Sequence, residues 1–176
     1  MKMHWWLTGV VGLIGAALVG ILLIPNPLNA SVVSEAKARG YLRYTAEEAT
    51  ALAYSRCTTC HNAEKMLQYC SRCGPPFVVV VHAMRKYVEL SNLAGQKVKP
   101  FTDAELVAIA QVWNALVGNW EGDWRRQDIE QLLGDDRALL ELAATEVGNR
   151  PIETALSGDT APGSYKEIQS FGRVTQ

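Results

Sequence analysis

The feature that most constrains this chain is the pentapeptide Cys57-Thr58-Thr59-Cys60-His61, which has the form Cys-x-x-Cys-His. Two thiols three positions apart on a helical turn can each add across one vinyl group of a haem. The imidazole that follows then lies under the ring and binds the iron. The motif therefore predicts one covalently bound haem c, held by Cys57, Cys60 and His61. The alternative is a surface or redox Cys-x-x-Cys pair followed by an incidental histidine.

A second cysteine pair, Cys70 and Cys73, is followed by Gly74 rather than by histidine. The pair therefore predicts no second haem. In an oxidising compartment we expect a local disulfide, with free thiols or metal binding as alternatives. All four cysteines also fit the zinc arrangement C-x2-C-x9-C-x2-C. Nine intervening residues are few for a zinc ribbon, however, and this alternative leaves His61 without a role.

An uncharged apolar run extends over 20 residues, from Trp5 to Ile24. A helix of this length crosses the roughly 30 Å hydrocarbon core of a bilayer. Lys2 and the terminal amine precede the run, so we expect the amino terminus on the cytoplasmic side. The sequence thus predicts a retained single-pass anchor in the lipid of the inner membrane, with the haem domain on the periplasmic side. A cleaved signal peptide is the alternative.

Composition and charge exclude several functional classes. The chain has 176 residues and a formal net charge of −1, with no basic run or stripe, which argues against a nucleic-acid partner. No nucleophile and general base occur in a recognisable pattern, so we predict that the chain has no enzymatic activity of its own. The prominent acidic residues have the positions of helix caps or solvated side chains: Asp103, Glu105, Asp123, Asp135 and Asp136.

Helical periodicity predicts an all-α fold. Residues 45–48 and 102–105 each form the pattern of a capping box, and each precedes apolar residues at helical spacing. The first of these helices leads into Cys57, and the second ends near Gly118. Two short helices separated by Gly134 are expected between residues 121 and 147. A further helix over residues 77–90 has one apolar face, formed by Phe77, Val80, Val81, Met84, Tyr87 and Val88.

These patterns divide the chain into five segments. They are an anchor (1–24), a linker (25–44), a haem domain (45–118), accessory helices (119–148) and an extended tail (149–176). Prolines and a glycine punctuate the linker. The tail is polar and lacks helical periodicity, so it has no core of its own. We therefore expect a partner surface to hold it.

Residues 45–118 resemble a class I c-type cytochrome. The resemblance rests on a helix running into the Cys-x-x-Cys-His motif, a later Met84 and a final capped helix that ends at Gly118. It implies that the first and last helices pack together and that Met84 binds the iron opposite His61. Gly74-Pro75 is similar to a Gly-Pro turn of that family, which implies that the Pro75 carbonyl accepts a hydrogen bond from His61.

His82 is the alternative distal ligand. Two helical positions, or about 200° around the helix axis, separate it from Met84, so the two side chains do not both face the iron. Met84 lies on the apolar face, whereas His82 shares a face with Arg85 and Lys86 and is expected to be solvated. The choice has a consequence, because a methionine ligand raises the reduction potential relative to a second histidine.

The expected function is one-electron transfer by a fixed, membrane-anchored subunit of a larger respiratory or photosynthetic redox complex. Its partners would be the integral membrane subunits of that complex and a redox partner protein. Two alternatives remain open. A haem-based sensor requires a weak or absent sixth ligand, and a structural assembly subunit would depend more on its C-terminal region than on its haem.

Overall fold

The computed structural model describes residues 27–62, Lys65 and residues 73–157. No strand occurs in these ranges, and the all-α prediction is confirmed for them. Two 3-10 turns, Glu121–Asp123 and Val147–Asn149, lie between the later helices. The helices are α1 (Pro27–Ala38), α2 (Ala46–Cys57), α3 (Phe77–Leu93), α4 (Asp103–Val117), α5 (Arg126–Leu133), α6 (Arg137–Ala144) and α7 (Pro151–Ser157).

Both predicted capping boxes are present at the helix starts. The Thr45 hydroxyl accepts a hydrogen bond from the Glu48 amide at 3.2 Å, and the Glu48 carboxylate accepts one from the Thr45 amide at 2.9 Å. Thr102 and Glu105 make the same pair of bonds at 3.2 and 3.1 Å. Because the first amides of a helix have no partner within it, these reciprocal bonds fix where α2 and α4 begin.

Helix α4 forms the centre of the fold. Every residue from Leu106 to Val117 is buried except Val107, which is partly buried. Helices α2, α3, α6 and α7 all pack against it. A helix covered on every side needs an apolar surface all round, which its composition largely supplies. The packing of α2 on α4 is the arrangement expected for the first and last helices of residues 45–118.

Helix α3 is covered on more sides than its sequence pattern predicts. It packs against α4, α5 and α6, so Val78 and Val79 are buried although they lie off the predicted apolar face. The prediction of burial holds for Phe77, Val81 and Val88. It is wrong for Tyr87, which is 70% exposed because no described element covers that side.

Gly134 separates α5 from α6, as predicted. Its φ is +59° and its ψ is −115°, a backbone conformation that a residue with a side chain rarely adopts. Two residues later, the Asp136 carboxylate accepts a hydrogen bond from the Leu139 amide at 3.4 Å and caps α6. The chain therefore reverses between two short helices instead of continuing as one.

The tail predicted to be extended from residue 149 is helical in its first part. Helix α7 packs on α4, where the Gln111 side-chain oxygen accepts a hydrogen bond from the Ile152 amide at 3.1 Å. Ile152 and Glu153 are buried there. A seven-residue helix stabilised by buried polar contacts has no amphipathic pattern, which is why the sequence did not indicate it. The rest of the tail, residues 158–176, lies outside the described residues.

A buried polar network joins α7 to the remainder of the molecule. Arg150 is 2% exposed, and its guanidinium donates to both carboxylate oxygens of Glu121 at 2.9 and 2.6 Å and to Glu153 at 3.2 Å. Asn114 of α4 donates to the same Glu121 carboxylate at 2.8 Å. One hydrophobic core also includes residues of α2 to α7. Residues 119–157 are thus packed continuously with residues 45–118.

The predicted anchor, residues 1–24, lies outside the described residues. None of the helices within the described ranges is long and apolar enough to cross a membrane. Part of the segment expected to be a linker is helix α1. Its end is fixed by hydrogen bonds from the Gly40 amide to the Lys37 carbonyl and from the Tyr41 amide to the Ala36 carbonyl, both at 2.9 Å.

Candidate functional site

The first motif cysteine is the last residue of α2. Cys57 is 3% exposed and lies against Trp113 of α4. Burial raises the pKa of the Cys57 thiol to about 11, although a hydrogen bond with Trp113 acts in the opposite direction. Cys60 is free and exposed. The two thiols of one motif therefore have very different environments.

The motif continues α2 by one further turn. The Cys60 amide donates to the Cys57 carbonyl at 3.4 Å, so both cysteines belong to the same turn, as the motif requires. His61 follows and is partly buried, with Nδ1 3.2 Å from the Asn62 carbonyl oxygen. A proton on Nδ1 satisfies this contact and leaves Nε2 as the nitrogen with a free lone pair.

Arg56 fixes the end of α2 next to the motif. Its guanidinium donates to the carbonyls of Lys99 and Pro100, each at 2.8 Å, and lies 3.6 Å from the Glu105 carboxylate. Glu105 is 2% exposed, so this capping residue of α4 also pairs with a cation inside the protein. The sequence pattern did not reveal Arg56, because its partners lie more than 40 positions along the chain.

Three aromatic rings connect the motif to the start of α3. Phe77 stacks on Trp113 with ring centroids 6.3 Å apart and meets Trp120 edge to face at 5.3 Å. The Trp120 indole donates to the Gly74 carbonyl at 3.0 Å. Pro75, the predicted partner of His61, is partly buried beside this bond. The Gly-Pro turn is thus tied to the same aromatic cluster that covers Cys57.

Met84 lies on the face of α3 that begins at Phe77, two helical turns further on. Met84 and Val80 both pack against the core, yet both are only partly buried. The face that starts at the Phe77–Trp113 contact therefore continues as an incompletely covered apolar strip. Such a strip suits contact with a further apolar group, as a flat ring would provide.

His82 is not solvated, which corrects the prediction. Its side chain is 14% exposed, and Nδ1 lies 2.8 Å from a carboxylate oxygen of Asp136. Arg85 reaches the same carboxylate at 3.4 Å and Asp103 at 2.6 Å. The error has a physical cause, because the start of α6 covers this side of α3. Asp136, predicted to be a cap or a solvated acid, caps α6 and is buried.

The second cysteine pair is described only in part. Cys73 is disulfide-bonded, whereas Cys57 and Cys60 are free. Its predicted partner, Cys70, lies outside the described residues, and that pairing stays a prediction. A disulfide sulfur is not a thiolate, so a four-cysteine zinc site is incompatible with this bond. In the described ranges no group of three or more histidine, cysteine or acidic side chains is arranged to hold a metal.

The residue types of the donor set fit a haem c. Two cysteines on one turn match the two vinyl groups, and His61 Nε2 and the Met84 sulfur are donors of the kinds that bind haem iron. The burial of Cys57 adds a condition, because a buried thiol that is almost entirely un-ionised reacts slowly. A thioether at Cys57 therefore requires that this end of α2 is not yet packed on α4.

Comparison with known proteins does not identify the function of this site. Its chemistry is inferred from the residues themselves. No protein-family model, curated protein or solved structure matches the chain.

Proposed function

We propose that this protein transfers single electrons through one covalently attached haem c, in a domain similar to class I c-type cytochromes. The observation that carries the proposal is the turn Cys57–His61, in which both cysteines are free and the histidine follows directly. When bound, the haem supplies an iron that alternates between the ferric and ferrous states. The protein sets its ligands, orientation and access to solvent.

Each residue of the site has a defined part in this proposal. Cys57 and Cys60 would form the two thioethers, and His61, through Nε2, and Met84 would bind the iron. Met84 is supported as an iron ligand by its position on a partly buried apolar face of α3. The rival ligand, His82, is disfavoured by its contact with Asp136. Two protein ligands leave no open position for a substrate, which favours a carrier over a sensor or an enzyme.

The Gly-Pro turn serves the proximal ligand in this proposal. Trp120 holds the turn at Gly74 through a 3.0 Å hydrogen bond. We expect the adjacent Pro75 carbonyl to accept a hydrogen bond from His61 in the haem-loaded protein. An acceptor of this kind orients the imidazole and makes it a stronger ligand.

The proposed setting is the inner membrane, with the haem domain on its periplasmic side. The apolar run from Trp5 to Ile24 supports a single-pass anchor, and α1 begins three residues after it. Tethering raises the effective concentration of the haem domain beside integral membrane subunits and an incoming redox protein. A fixed subunit of a respiratory or photosynthetic redox complex is the assembly that we propose, without a role for nucleic acid.

The test is expression of the full chain in a host that attaches haem c, followed by acid extraction and a pyridine haemochrome spectrum. We expect one haem that resists extraction in the wild type, one remaining thioether in Cys60→Ser, and no proximal ligation in His61→Ala. Thr59→Ser is the matched control, because it changes an unspecified position of the motif and keeps the hydroxyl. A wild type without covalent haem would contradict the proposal.

The ligation state separates the carrier from the sensor. The oxidised carrier should show a weak methionine–iron band at about 695 nm, the signature expected of a Met/His pair of axial ligands. Met84→Ala should abolish this band. Rapid binding of carbon monoxide by the reduced wild type would overturn the carrier and favour the sensor, because it requires an open sixth position.

A further inference from the structure

The contacts of Asp136 bear on which side chain becomes the distal ligand. We propose, building on the function above, that Asp136 is a positioning residue that keeps His82 away from the iron and thereby secures ligation by Met84. Asp136 lies outside the haem domain predicted from the sequence. It belongs to the start of α6, where it is buried and caps the helix.

Asp136 uses both of its carboxylate oxygens. Oδ1 accepts the hydrogen bond from the Leu139 amide at 3.4 Å, and Oδ2 lies 2.8 Å from His82 Nδ1. The cap fixes the carboxylate, because it is bonded to the helix that carries it. His82 is then held by a group that is itself immobile, on the side of α3 that faces α6.

Arg85 strengthens this constraint. It lies one helical turn after His82 and therefore shares its side of α3. Its guanidinium is 3.4 Å from the Asp136 carboxylate and 2.6 Å from that of Asp103, at the start of α4. Contacts to two other helices fix the rotation of α3 about its own axis.

This fixed rotation decides which side chain is presented on the apolar face. Met84 lies about 200° around the axis from His82, so holding His82 against α6 turns Met84 toward the face that begins at Phe77. Imidazole is a common and strong ligand for haem iron. Without its partner, His82 is the competing donor closest in sequence to Met84.

The test is the absorption spectrum and midpoint potential of the full-length, haem-loaded protein. Asp136→Ser keeps a capping oxygen for α6 but is too short to cap the helix and reach His82 together. We expect Asp136→Ser to lose the methionine–iron band and to have a lower potential, because a second histidine lowers it. The double variant Asp136→Ser/His82→Ala should regain the band, and His82→Ala alone should keep it.

The double variant distinguishes positioning from a structural role. Asp135→Ser is the matched control, because it removes a neighbouring exposed carboxylate, and it should keep the wild-type spectrum. An unchanged Asp136→Ser spectrum, or loss of the band in the double variant as well, would overturn the proposal. If Asp136→Ser does not fold, Asp136→Thr, which has the same short capping hydroxyl, replaces it under the same criteria. A wild type without covalent haem would contradict the proposed function itself. A wild type with haem but no methionine–iron band would contradict the assignment of Met84 as an iron ligand.

Discussion

Two cysteines of one motif are expected to react very differently in the haem-free protein. Burial raises the pKa of Cys57 to about 11, so at pH 8 only about one thiol in a thousand is ionised, and Trp113 shields it further. Cys60 is exposed. We predict that iodoacetamide modifies Cys60 at least about 100-fold faster than Cys57, as measured by peptide mass spectrometry. Similar rates for both in the folded protein, or a persisting difference in denaturant, would contradict this prediction.

The Cys57 thiol also makes the stability of the haem-free protein depend on pH. Its folded pKa of about 11 lies above the ordinary value of 9.0, so the contribution is complete below about pH 9. Above that pH the unfolded thiol ionises first, and stability is lost until about pH 11. The total loss is roughly 3 kcal/mol. Urea denaturation between pH 8 and 11 measures it, and the slope should be much smaller in Cys57→Ala.

At the residue scale, a sequence pattern is informative where neighbouring positions act together. The Cys-x-x-Cys-His motif predicts haem attachment because its residues lie on one turn, and that attachment stays a prediction. The roles of Arg56 and Trp120 are not predictable from a local pattern, because their side chains donate to carbonyls 43 to 46 positions away. A helical pattern places His82 in solvent because it describes one helix and not the element that covers it.

The two capping boxes allow a matched comparison of elements. Glu48 and Glu105 occupy the same position in their boxes, and each pairs with a cation. Glu48 is exposed and pairs with Lys37, whereas Glu105 is buried and pairs with Arg56. We predict that Glu105→Ala lowers the free energy of unfolding by about 3 to 5 kcal/mol, because it leaves a cation without its partner. Glu48→Ala should cost about 1 kcal/mol. Equal losses of unfolding free energy for the two variants in chemical denaturation would show that burial of the Glu105–Arg56 pair adds nothing to stability.

The turn between α5 and α6 should depend on glycine at position 134. Among the described residues, no atom outside the turn lies near the place of an added Cβ, so the cost of Gly134→Ala comes from its φ of +59°. We expect a loss of about 1 to 3 kcal/mol in the free energy of unfolding. Gly122→Ala is the control, because that glycine has open space and no left-handed backbone, and its thermal midpoint should hardly change.

Elements were predictable where local residues determine them. The starts of α2 and α4 and the break at Gly134 depend on side chains or backbone angles within a few positions. Helix α7 depends instead on Gln111, which is distant in sequence, and on Arg150, which is buried. Helix α1 lies in a segment whose prolines suggested a linker, although Pro27 suits the first turn of a helix.

At the scale of the whole molecule, the buried network around Arg150 joins α7 and the turn at Glu121 to α4. We predict that Arg150→Ala lowers the free energy of unfolding by about 3 to 5 kcal/mol, because Glu121 and Glu153 lose their shared cation. Arg126→Ala is the matched control, since Arg126 pairs with Glu130 on the surface, where ion pairs contribute little. Thermal unfolding measures both, and similar midpoints for the two variants would contradict the prediction.

The extent of the core was not predictable from the sequence. Residues 45–118 have the pattern of a complete small domain, yet Ile129, Leu133, Leu139, Leu142 and Ile152 belong to the same hydrophobic core. Deleting residues 119–176 would therefore uncover α4. That deletion therefore does not separate a structural assembly role from electron transfer, whereas substitutions of the proposed iron ligands, His61 and Met84, do.

The burial of α4 on every side determines how its backbone meets water. After its first turn, its amides are hydrogen-bonded within the helix and covered by α2, α3, α6 and α7. No partial opening exposes them without separating several helices, so hydrogen–deuterium exchange in α4 reports the opening of the entire molecule. Exchange at the exposed turn around Gly95 reports only local motion. Amide exchange in this one central helix thus measures the global free energy of unfolding in the native protein, without denaturant.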